Sequence, residues 1–350
     1  MTNRMNIALL APLWKTVPPE KYGGSELVVS NLAQGLRSLG HDVCTFACGG
    51  SSVSGTLIPV IEKPMYDLVG GFDWSGVKQY EFLSFFELGK RAQDFDVIHN
   101  HMGLHPLALA SWSSVPFVTT LHSSAPPDFP SLAEAFNQYP FVSISDAQRS
   151  VAPRLNYVAT VHHGIDTYAF RPRIRGTGRG FLFLGTLSRE KGIDIAVRTA
   201  KQLGVSLLIA GEIRAQDRPF LEKDVFPYID GERIRFIGEV GHEEKVSLLS
   251  EADALLFPSR WNEAFGLVMV EALASGTPVV ALKNGAVPEI LEHGKTGLIA
   301  EDVDDFAECA RRVAGISRRI CLAEAKSRFD LSSMARSYAE VYQSLIDARV

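Results

Sequence analysis

The segment that decides the fold reads Asn262-Glu263-Ala264-Phe265-Gly266-Leu267-Val268-Met269-Val270-Glu271. It predicts the end of a loop and the start of a helix, because apolar helix formers follow Gly266 until Gly276 ends the run. Glu263 is expected in the loop, and Glu271 one to two turns into the helix. Two carboxylates therefore flank one helix start, with seven residues between them.

The start of this helix has the properties of a phosphate site. The backbone amides of Phe265, Gly266 and Leu267 would lie at the positive end of the helix dipole, which favours a bound anion. A carboxylate beside a phosphate has a different task, and its natural partners are the hydroxyls of a sugar or a ribose. The segment therefore predicts a sugar-nucleotide site. The alternative is a solvated helix that carries two surface acids.

The whole run from Glu263 to Ala281 resembles, nearly residue for residue, the Glu-x7-Glu signature of the family 4 retaining glycosyltransferases. The resemblance extends over almost the whole chain. It is strongest from Phe181 to Ile299 and weakest over residues 50–95. It implies an α/β fold of GT-B architecture, in which two doubly wound Rossmann-like domains face each other across a cleft. It also implies a hexosyltransferase activity.

Composition limits the class of protein. The chain has 350 residues, enough for two domains, with 46% hydrophobic and 21% charged residues, as in a soluble globular protein. A net charge of −5 argues against nucleic acid as a partner. The opening apolar run, Ile7 to Trp14, contains Pro12 and is too short for a membrane span or a signal peptide, so we expect a cytoplasmic protein without an integral membrane segment.

The four cysteines form no Cys-x2-Cys pair. Cys44 and Cys48 fall on an apolar segment, and reduced thiols in the core are expected rather than disulfide bonds.

Short strand patterns alternate with longer helical ones in both halves of the chain, as in a parallel sheet covered by helices. In the first half, Ser25 is expected to cap a helix that ends at Gly40. The expected strands of that half are Asn6–Leu10, Asp42–Ala47, Asp96–His99, Phe117–Leu121, Phe141–Ile144 and Asn156–Val161.

Residues 171–180 lose periodicity and gather Gly, Pro and Arg, which predicts a linker. We therefore expect an acceptor domain over residues 1–170 and a nucleotide-sugar donor domain over 171–330. The resemblance implies that a final helix, about residues 331–350, crosses back to the first domain.

Gly23-Gly24 follows the first strand and precedes a helix, where two glycines allow a phosphate or a sugar to approach the backbone. A tight turn that needs glycine only for its conformation would have the same sequence. The resemblance implies contacts with the donor diphosphate and the acceptor. Because no Gly-x-Gly-x-x-Gly follows either leading strand, a dinucleotide dehydrogenase is disfavoured.

The stretch Leu184 to Gly192 leaves the first strand of the second domain and is similar to the family's Gly-Arg-Leu-x-x-x-Lys-Gly. Lys191 could balance the charge that develops on a leaving diphosphate. The alternative is a solvated lysine near a helix start. Thr186 stands where the family has arginine, so either Arg189 substitutes for it or the diphosphate binds more weakly.

Histidines gather in the first half. His99, His101 and His105 could suggest a metal cluster, but no carboxylate or cysteine is spaced to complete it, so we expect no metal site. His122 follows a strand, as does the family's active-site histidine, and the resemblance implies a contact with the donor sugar. A hydrogen-bonded loop imidazole is the alternative. His163 replaces the Asn of the family's Asn-Gly-Ile/Val-Asp element.

The resemblance implies transfer of a sugar, with retained anomeric configuration and no essential metal, from a nucleoside diphosphate sugar to a small-molecule or glycan acceptor. Glu263, His122 and Lys191 are the expected catalytic residues. The expected donor-binding residues are Gly23, Gly24, Thr186, Arg189, Phe265, Gly266, Leu267 and Glu271. No cofactor is expected besides the co-substrate, whose nucleotide would be UDP or GDP, and the turn Arg233–Val240 would contact its base.

Two other functions remain open. A GT-B sugar-nucleotide epimerase would share the fold and the nucleotide site, but it would need no acceptor. A non-catalytic two-domain sugar-binding protein would need no nucleotide.

Overall fold

The computed structural model describes residues 4–21, 23–68, 74–111, 113–123, 134–176 and 178–349, without the side chains of residues 74–78. It has two units. Unit 1 comprises Met1–Ile165 and Leu331–Val350, and unit 2 comprises Asp166–Asp330. The chain thus passes into unit 2 after Ile165, whereas the sequence analysis placed this boundary after residue 170.

Unit 1 contains a parallel sheet with the strand order β3-β2-β1-β4-β5-β6-β7. Its strands are β1 (Asn6–Leu10), β2 (Asp42–Cys48), β3 (Thr56–Ile61), β4 (Val97–Asn100), β5 (Phe117–Thr120), β6 (Pro140–Ser143) and β7 (Asn156–Thr160). The first helices are α1 (Gly24–Ser38), α2 (Met65–Leu68), α3 (Trp74–Gly89), α4 (Leu107–Ala110) and α5 (Asp146–Val151). Strand β1 lies in the middle of the sheet, and its residues Ile7 to Leu10 are fully buried, as expected for a strand covered on both faces.

Unit 2 repeats this plan with the order β10-β9-β8-β11-β12-β13, again all parallel. Its strands are β8 (Phe181–Leu184), β9 (Leu207–Ala210), β10 (Ile234–Phe236), β11 (Ala254–Phe257), β12 (Val279–Leu282) and β13 (Gly297–Ala300). Its helices are α6 (Ile193–Leu203), α7 (Arg218–Asp224), α8 (His242–Glu251), α9 (Leu267–Ala274), α10 (Val287–Ile290), α11 (Val303–Arg312) and α12 (Arg318–Arg328). The expected alternation of strands and helices is confirmed in both units.

Each sheet has a point at which the strand order reverses, between β1 and β4 in unit 1 and between β8 and β11 in unit 2. In doubly wound sheets, ligands bind at the carboxyl ends of the strands beside such a point. The sequence places Gly23 and Gly24 after β1 and Lys191 after β8. Glu263 follows β11. The fold therefore brings the predicted motifs to the edges where this class of sheet binds ligands.

Three local expectations need correction. Helix α1 begins at Gly24 with Gly23 as its N-cap, so Ser25 lies inside the first turn and does not cap it. Strand β3 was missed because it contains Pro59, which an edge strand tolerates although proline lowers strand propensity. Apart from Thr177, which lies outside the described residues, the expected linker 171–180 belongs to unit 2, where the amides of Gly178 and Gly180 donate to the Asp253 carboxylate at 2.9 and 2.8 Å.

The last helix, α13 (Leu331–Asp347), belongs to unit 1 and packs on α1. The two helices approach closely at Gly35, where a β-carbon would lie 2.6 Å from the β-carbon of Ala335 and 3.0 Å from the Leu331 carbonyl oxygen. Further along the same face of α13, Tyr338 and Tyr342 are fully buried. Gly35 is therefore needed for the close contact between the helices.

We expect Gly35→Leu to lower the free energy of unfolding by about 1–3 kcal/mol or more, because the added side chain must force α1 and α13 apart. Urea unfolding followed by circular dichroism measures the change. The matched control is Gly89→Leu at the end of α3, where an added β-carbon meets nothing within 4 Å. Equal stability of the two variants would contradict the proposed packing.

Candidate active site

Glu263 lies in the loop between β11 and α9, as expected. Its carboxylate is largely buried and accepts a hydrogen bond from Ser259 Oγ at 2.9 Å. It also forms a close ion pair with the Lys191 ammonium, from the loop after β8. Both bonds are made to Oε1, so Oε2 can accept a further hydrogen bond from a hydroxyl group.

Glu271 lies on α9 and is also buried. Its carboxylate pairs closely with the Lys245 ammonium, from helix α8, and this contact is again made through Oε1. Each acid of the Glu-x7-Glu motif therefore has a lysine partner from another part of unit 2. The sequence analysis missed both pairings, since it assigned Lys191 only to a phosphate and did not consider Lys245.

The helix start between the two acids has the expected conformation. Gly266 is the N-cap of α9 and adopts φ 95°, a left-handed value that favours glycine, and a β-carbon there would lie 2.6 Å from the Met269 side chain. The Phe265 side chain is buried against Phe329, with ring centroids 6.1 Å apart, so only its backbone is suited to contact a ligand. Together with Leu267, these residues present the amino end of a helix between two acids.

Arg260 fixes the loops that carry Lys191 and Glu263 relative to each other. Its guanidinium binds both oxygens of the Asp194 carboxylate, at 2.7 and 2.9 Å, and donates to the Arg189 carbonyl at 2.8 Å. Its backbone amide donates to the Glu190 carbonyl at 2.7 Å. Gly192 allows this approach, because a β-carbon there would lie 2.0 Å from the Pro258 carbonyl oxygen.

Asp194 is buried at the start of α6 and also pairs with Arg198. Burial acts to raise the pKa of this carboxyl, but the hydrogen bond and charge of Arg260, with the charge of Arg198, outweigh it and hold the pKa below its usual value. The Asp194 carboxylate is therefore a fixed anion that holds Arg260 in place. Sequence analysis missed this pair because residues 194 and 260 lie far apart in the chain.

Thr186 occupies the position of the family's arginine, and Arg189 does not bring its charge to Glu263. Thr186 is buried after β8. Arg189, one of the two alternatives for the family's arginine, pairs with Asp224 at 3.0 Å and lies over the Phe220 ring at 4.5 Å from its centroid. The structure thus binds Arg189 to α7, and Lys191 is the cation that it places at Glu263.

In unit 1, four histidines that end or follow strands β4, β5 and β7 form a column, in which His99, His101 and His163 are buried and His122 is half-buried. Ring centroids are 3.9 Å apart for His99 and His101, 5.1 Å for His101 and His122, and 5.2 Å for His122 and His163. His101 Nδ1 and His122 Nε2 share a hydrogen bond of 2.9 Å. His105, by contrast, is exposed and lies 3.5 Å from Glu81.

This column is neutral at physiological pH. Burial lowers the pKa of His122 to about 4, and burial with neighbouring histidines lowers the pKa values of His99, His101 and His163 well below 6.5. His99 is fixed by Tyr342 at 2.6 Å and Thr120 at 2.9 Å. Within the described ranges, His122 Nδ1 has no hydrogen-bond partner. His122 can therefore serve as a neutral hydrogen-bonding group but not as a cation.

Next to Gly23, helix α1 carries a buried acid that the sequence analysis did not single out. A β-carbon on Gly23 would lie 2.7 Å from the Pro19 side chain and 3.3 Å from Glu26 Oε2. Burial raises the pKa of Glu26 to about 7, although its own amide and the charge and amide of Lys15 oppose the rise. Glu26 therefore changes charge near neutral pH, beside the Gly23-Gly24 turn.

Two models of known families match the chain. The model described as "Glycosyltransferase Family 4" matches residues 22–143, and the model described as "Glycosyl transferases group 1" matches residues 165–318. The chain belongs to the group 1, family 4 glycosyltransferases. The Glu-x7-Glu segment and Lys191 lie in the second match, whereas Gly23, Gly24 and His122 lie in the first. Glycosyltransferases of this family are sugar-transferring enzymes, and the predicted family and enzyme class are confirmed.

Individual proteins support this assignment over the whole length. Glycogen synthase of Mycobacterium tuberculosis is 29% identical, over 93% of this chain and 92% of its own. Phosphatidyl-myo-inositol mannosyltransferase of Mycobacterium leprae is 27% identical, over 97% of both. A structure of Anabaena HepE in complex with UDP-glucose superposes with a TM-score of 0.74, at 18% identity, over 97% of this chain and 100% of that one. The α/β fold of GT-B type, with two Rossmann-like domains, is confirmed.

The described residues contain no helix that is both long and apolar enough to cross a membrane. They also contain no group of three or more His, Cys, Asp and Glu side chains arranged to hold a metal ion.

We expect Arg260→Met to loosen the two loops of unit 2. Hydrogen exchange at the Arg260 and Trp261 amides, which donate to the Glu190 carbonyl, should speed up because the guanidinium no longer ties residues 189 and 194 to their loop. The control is Arg198→Met, which also removes a cation from Asp194 but makes no bond to either loop. Unchanged hydrogen exchange in Arg260→Met would show that the bonds from Arg260 to Asp194 and Arg189 are not needed to hold the loops.

We expect Glu26→Gln to be more stable than the wild type at pH 8 but not at pH 5. A carboxyl whose pKa is raised by folding binds more protons in the folded state, so wild-type stability falls as the pH rises from about 4.5 to about 7, by about 3 kcal/mol in all. Urea unfolding across this pH range measures the effect. The exposed Glu20→Gln serves as the control, and the same pH profile in both variants would contradict the assignment.

Proposed function

We propose that this enzyme transfers a sugar from a nucleoside diphosphate sugar to an acceptor hydroxyl, with retained anomeric configuration and without an essential metal. The observation that carries the proposal is the arrangement of Lys191, Glu263 and the α9 start at the reversal point of the unit 2 sheet. A cation, a helix amino end and a carboxylate within one cluster suit the three parts of such a donor: the diphosphate and the hydroxyls of its two sugars.

We assign the donor sugar to Glu263 and the ribose to Glu271. Both acids have Oε1 engaged by a lysine, so each Oε2 is oriented to accept a bond from a hydroxyl. The amides of Phe265, Gly266 and Leu267 would bind the diphosphate together with Lys191. The turn Arg233–Val240, which follows β9 and contains β10, would contact the base through its backbone. HepE binds UDP-glucose, which supports UDP as the first nucleotide to test.

In unit 1, we assign Gly23 and Gly24 to the diphosphate and the acceptor, and His122 to the donor sugar. A neutral imidazole suits that role, because it can bind a hydroxyl without a proton change in the physiological range. Arg189 is bound to Asp224, so we propose that the diphosphate is held by Lys191 and backbone amides, without a second cation in place of Thr186.

The bond changes that we propose are those implied by the resemblance to retaining glycosyltransferases. The bond between the anomeric carbon and the diphosphate oxygen breaks, and the acceptor oxygen forms its bond on the same face of the sugar. The acceptor proton passes to the departing diphosphate oxygen, so no protein nucleophile is needed. Lys191 and the helix amides stabilise the negative charge that develops on the diphosphate.

The first experiment measures the melting temperature of the wild-type chain with UDP, GDP, ADP and their common sugar derivatives. A ligand at 100 times its dissociation constant adds about 2.7 kcal/mol of stability, which is easily detected. The donor found in this way is then tested for transfer with EDTA present, and the anomeric configuration of the product is determined by NMR. If donor alone yields an altered sugar nucleotide, the enzyme is an epimerase. If no nucleotide binds, the proposal is wrong.

With that donor, we expect Glu263→Ala to lower the transfer rate by about 100-fold or more while the protein stays folded, because its bonds to the reacting sugar are lost. Glu271→Ala should instead weaken binding of the nucleoside diphosphate. The control is Glu308→Ala, which removes an exposed acid of α11 that pairs with Arg311 one turn further along the same helix. Near-normal transfer by Glu263→Ala would remove this residue from the site.

A further inference from the structure

Lys245 is a charged group at the candidate site to which no role has yet been assigned. It lies on α8, one turn after the helix begins at His242, and its side chain is only 18% exposed. Its ammonium forms a close ion pair with the Glu271 carboxylate on α9, whose side chain is 5% exposed. A buried carboxylate without a cation is costly, so this lysine determines how Glu271 is held.

We propose that Lys245 is a positioning residue that makes the nucleotide site selective for ribose hydroxyls. The ammonium binds Oε1 of Glu271 and so fixes the rotation of the carboxylate, which directs Oε2 towards a ligand. A carboxylate held in this way discriminates between a vicinal diol and a 2′-deoxy sugar, because the deoxy sugar lacks one of the two hydroxyl donors and leaves a hydrogen bond to the carboxylate unmade. This inference rests on the proposed function, since it takes Glu271 to bind the ribose.

The surroundings of the pair support a fixed geometry. On the Glu271 side, the backbone carbonyl accepts bonds from the amide and the hydroxyl of Ser275, at 3.1 and 3.0 Å, and the helix carries buried residues on both sides of the acid. On the Lys245 side, its amide donates to the Gly241 carbonyl at 2.9 Å, and Val246 is buried beside it. Neither backbone can shift easily, so the ion pair transmits the position of α8 to the carboxylate.

Lys245 differs from Lys191 in what it can do. Lys191 pairs with the acid that lies before the α9 start, in a loop. Lys245 pairs with the acid one turn after that start, and the pair is the more deeply buried of the two. The first lysine is thus suited to the diphosphate, whereas the second is suited to act through Glu271 on the nucleoside.

The test compares UDP, GDP and ADP with their 2′-deoxy counterparts, by calorimetric titration of the full chain. For the nucleotide that binds best, we expect the wild type to prefer the ribose form by about tenfold or more, which corresponds to one hydrogen bond to a charged group. In Lys245→Met this preference should fall to about threefold or less. Lys245→Arg, which keeps the cation, should restore much of it.

A second comparison tests whether Lys245 acts through Glu271, or instead contacts the nucleotide directly or only supports the fold. In a Glu271→Gln background, Lys245→Met should cause little further loss, because the two residues act as one unit. The control is Lys295→Met, which breaks an exposed ion pair of 2.7 Å before β13, at the opposite edge of the sheet, and should leave the preference unchanged.

The outcomes distinguish a failure of the positioning role of Lys245 from a failure of the proposed function. If Lys245→Met weakens the ribose and deoxyribose forms equally, the lysine contacts the phosphates or only supports the fold, and the positioning role is wrong. Additive losses in the double variant would contradict it as well. If no nucleoside diphosphate binds to the wild type, the proposed function fails, and the role of Lys245 fails with it.

Discussion

The clamp formed by Arg260 and Asp194 is the constraint on which the site of unit 2 depends. Two loops leave the sheet at the point where its strand order reverses, one with Lys191 and the other with Glu263. In the described residues no sheet ladder joins these two loops, and the backbone bonds between them run from the Arg260 and Trp261 amides to the Glu190 carbonyl. A guanidinium can bind a carboxylate with two bonds and a carbonyl with a third, which a lysine cannot do with the same geometry. Two arginines, Arg198 and Arg260, offset the cost of burying the Asp194 carboxylate. As a result, the loop that carries Lys191 is held at a fixed distance from the loop that carries Glu263.

The two acids of the motif illustrate how one helix can serve two chemical tasks. A helix amino end attracts phosphate through its free amides, and acids placed there without partners would repel the same ligand. Pairing each acid with a lysine removes most of that repulsion while keeping an oxygen to accept hydroxyl bonds. Under the proposed function, the spacing of Glu263 and Glu271 separates the diphosphate of the donor from its hydroxyl groups.

The sequence predicted the class of the fold and the motifs at its edges, because both depend on local patterns. Apolar strands such as Asn6–Leu10 and the glycine before α9 have strong local signals. The partners of the acids could not be predicted, since Lys245 and Arg260 meet Glu271 and Asp194 only through folding. Strand β3 and helix α12 were also missed, the first because of Pro59 and the second because charged residues mask its apolar face. The pKa of Glu26 depends on burial, which no local pattern shows.

Helix α13 completes unit 1 although it follows the whole of unit 2 in the chain. During synthesis, residues 166–330 leave the ribosome with all their strands and helices, so unit 2 can fold before unit 1 is finished. Until residues 331–347 emerge, α1 lacks the neighbour that covers Gly35, and His99 lacks the hydroxyl of Tyr342. The histidine column of unit 1 is therefore completed only after the whole of unit 2 has been synthesised.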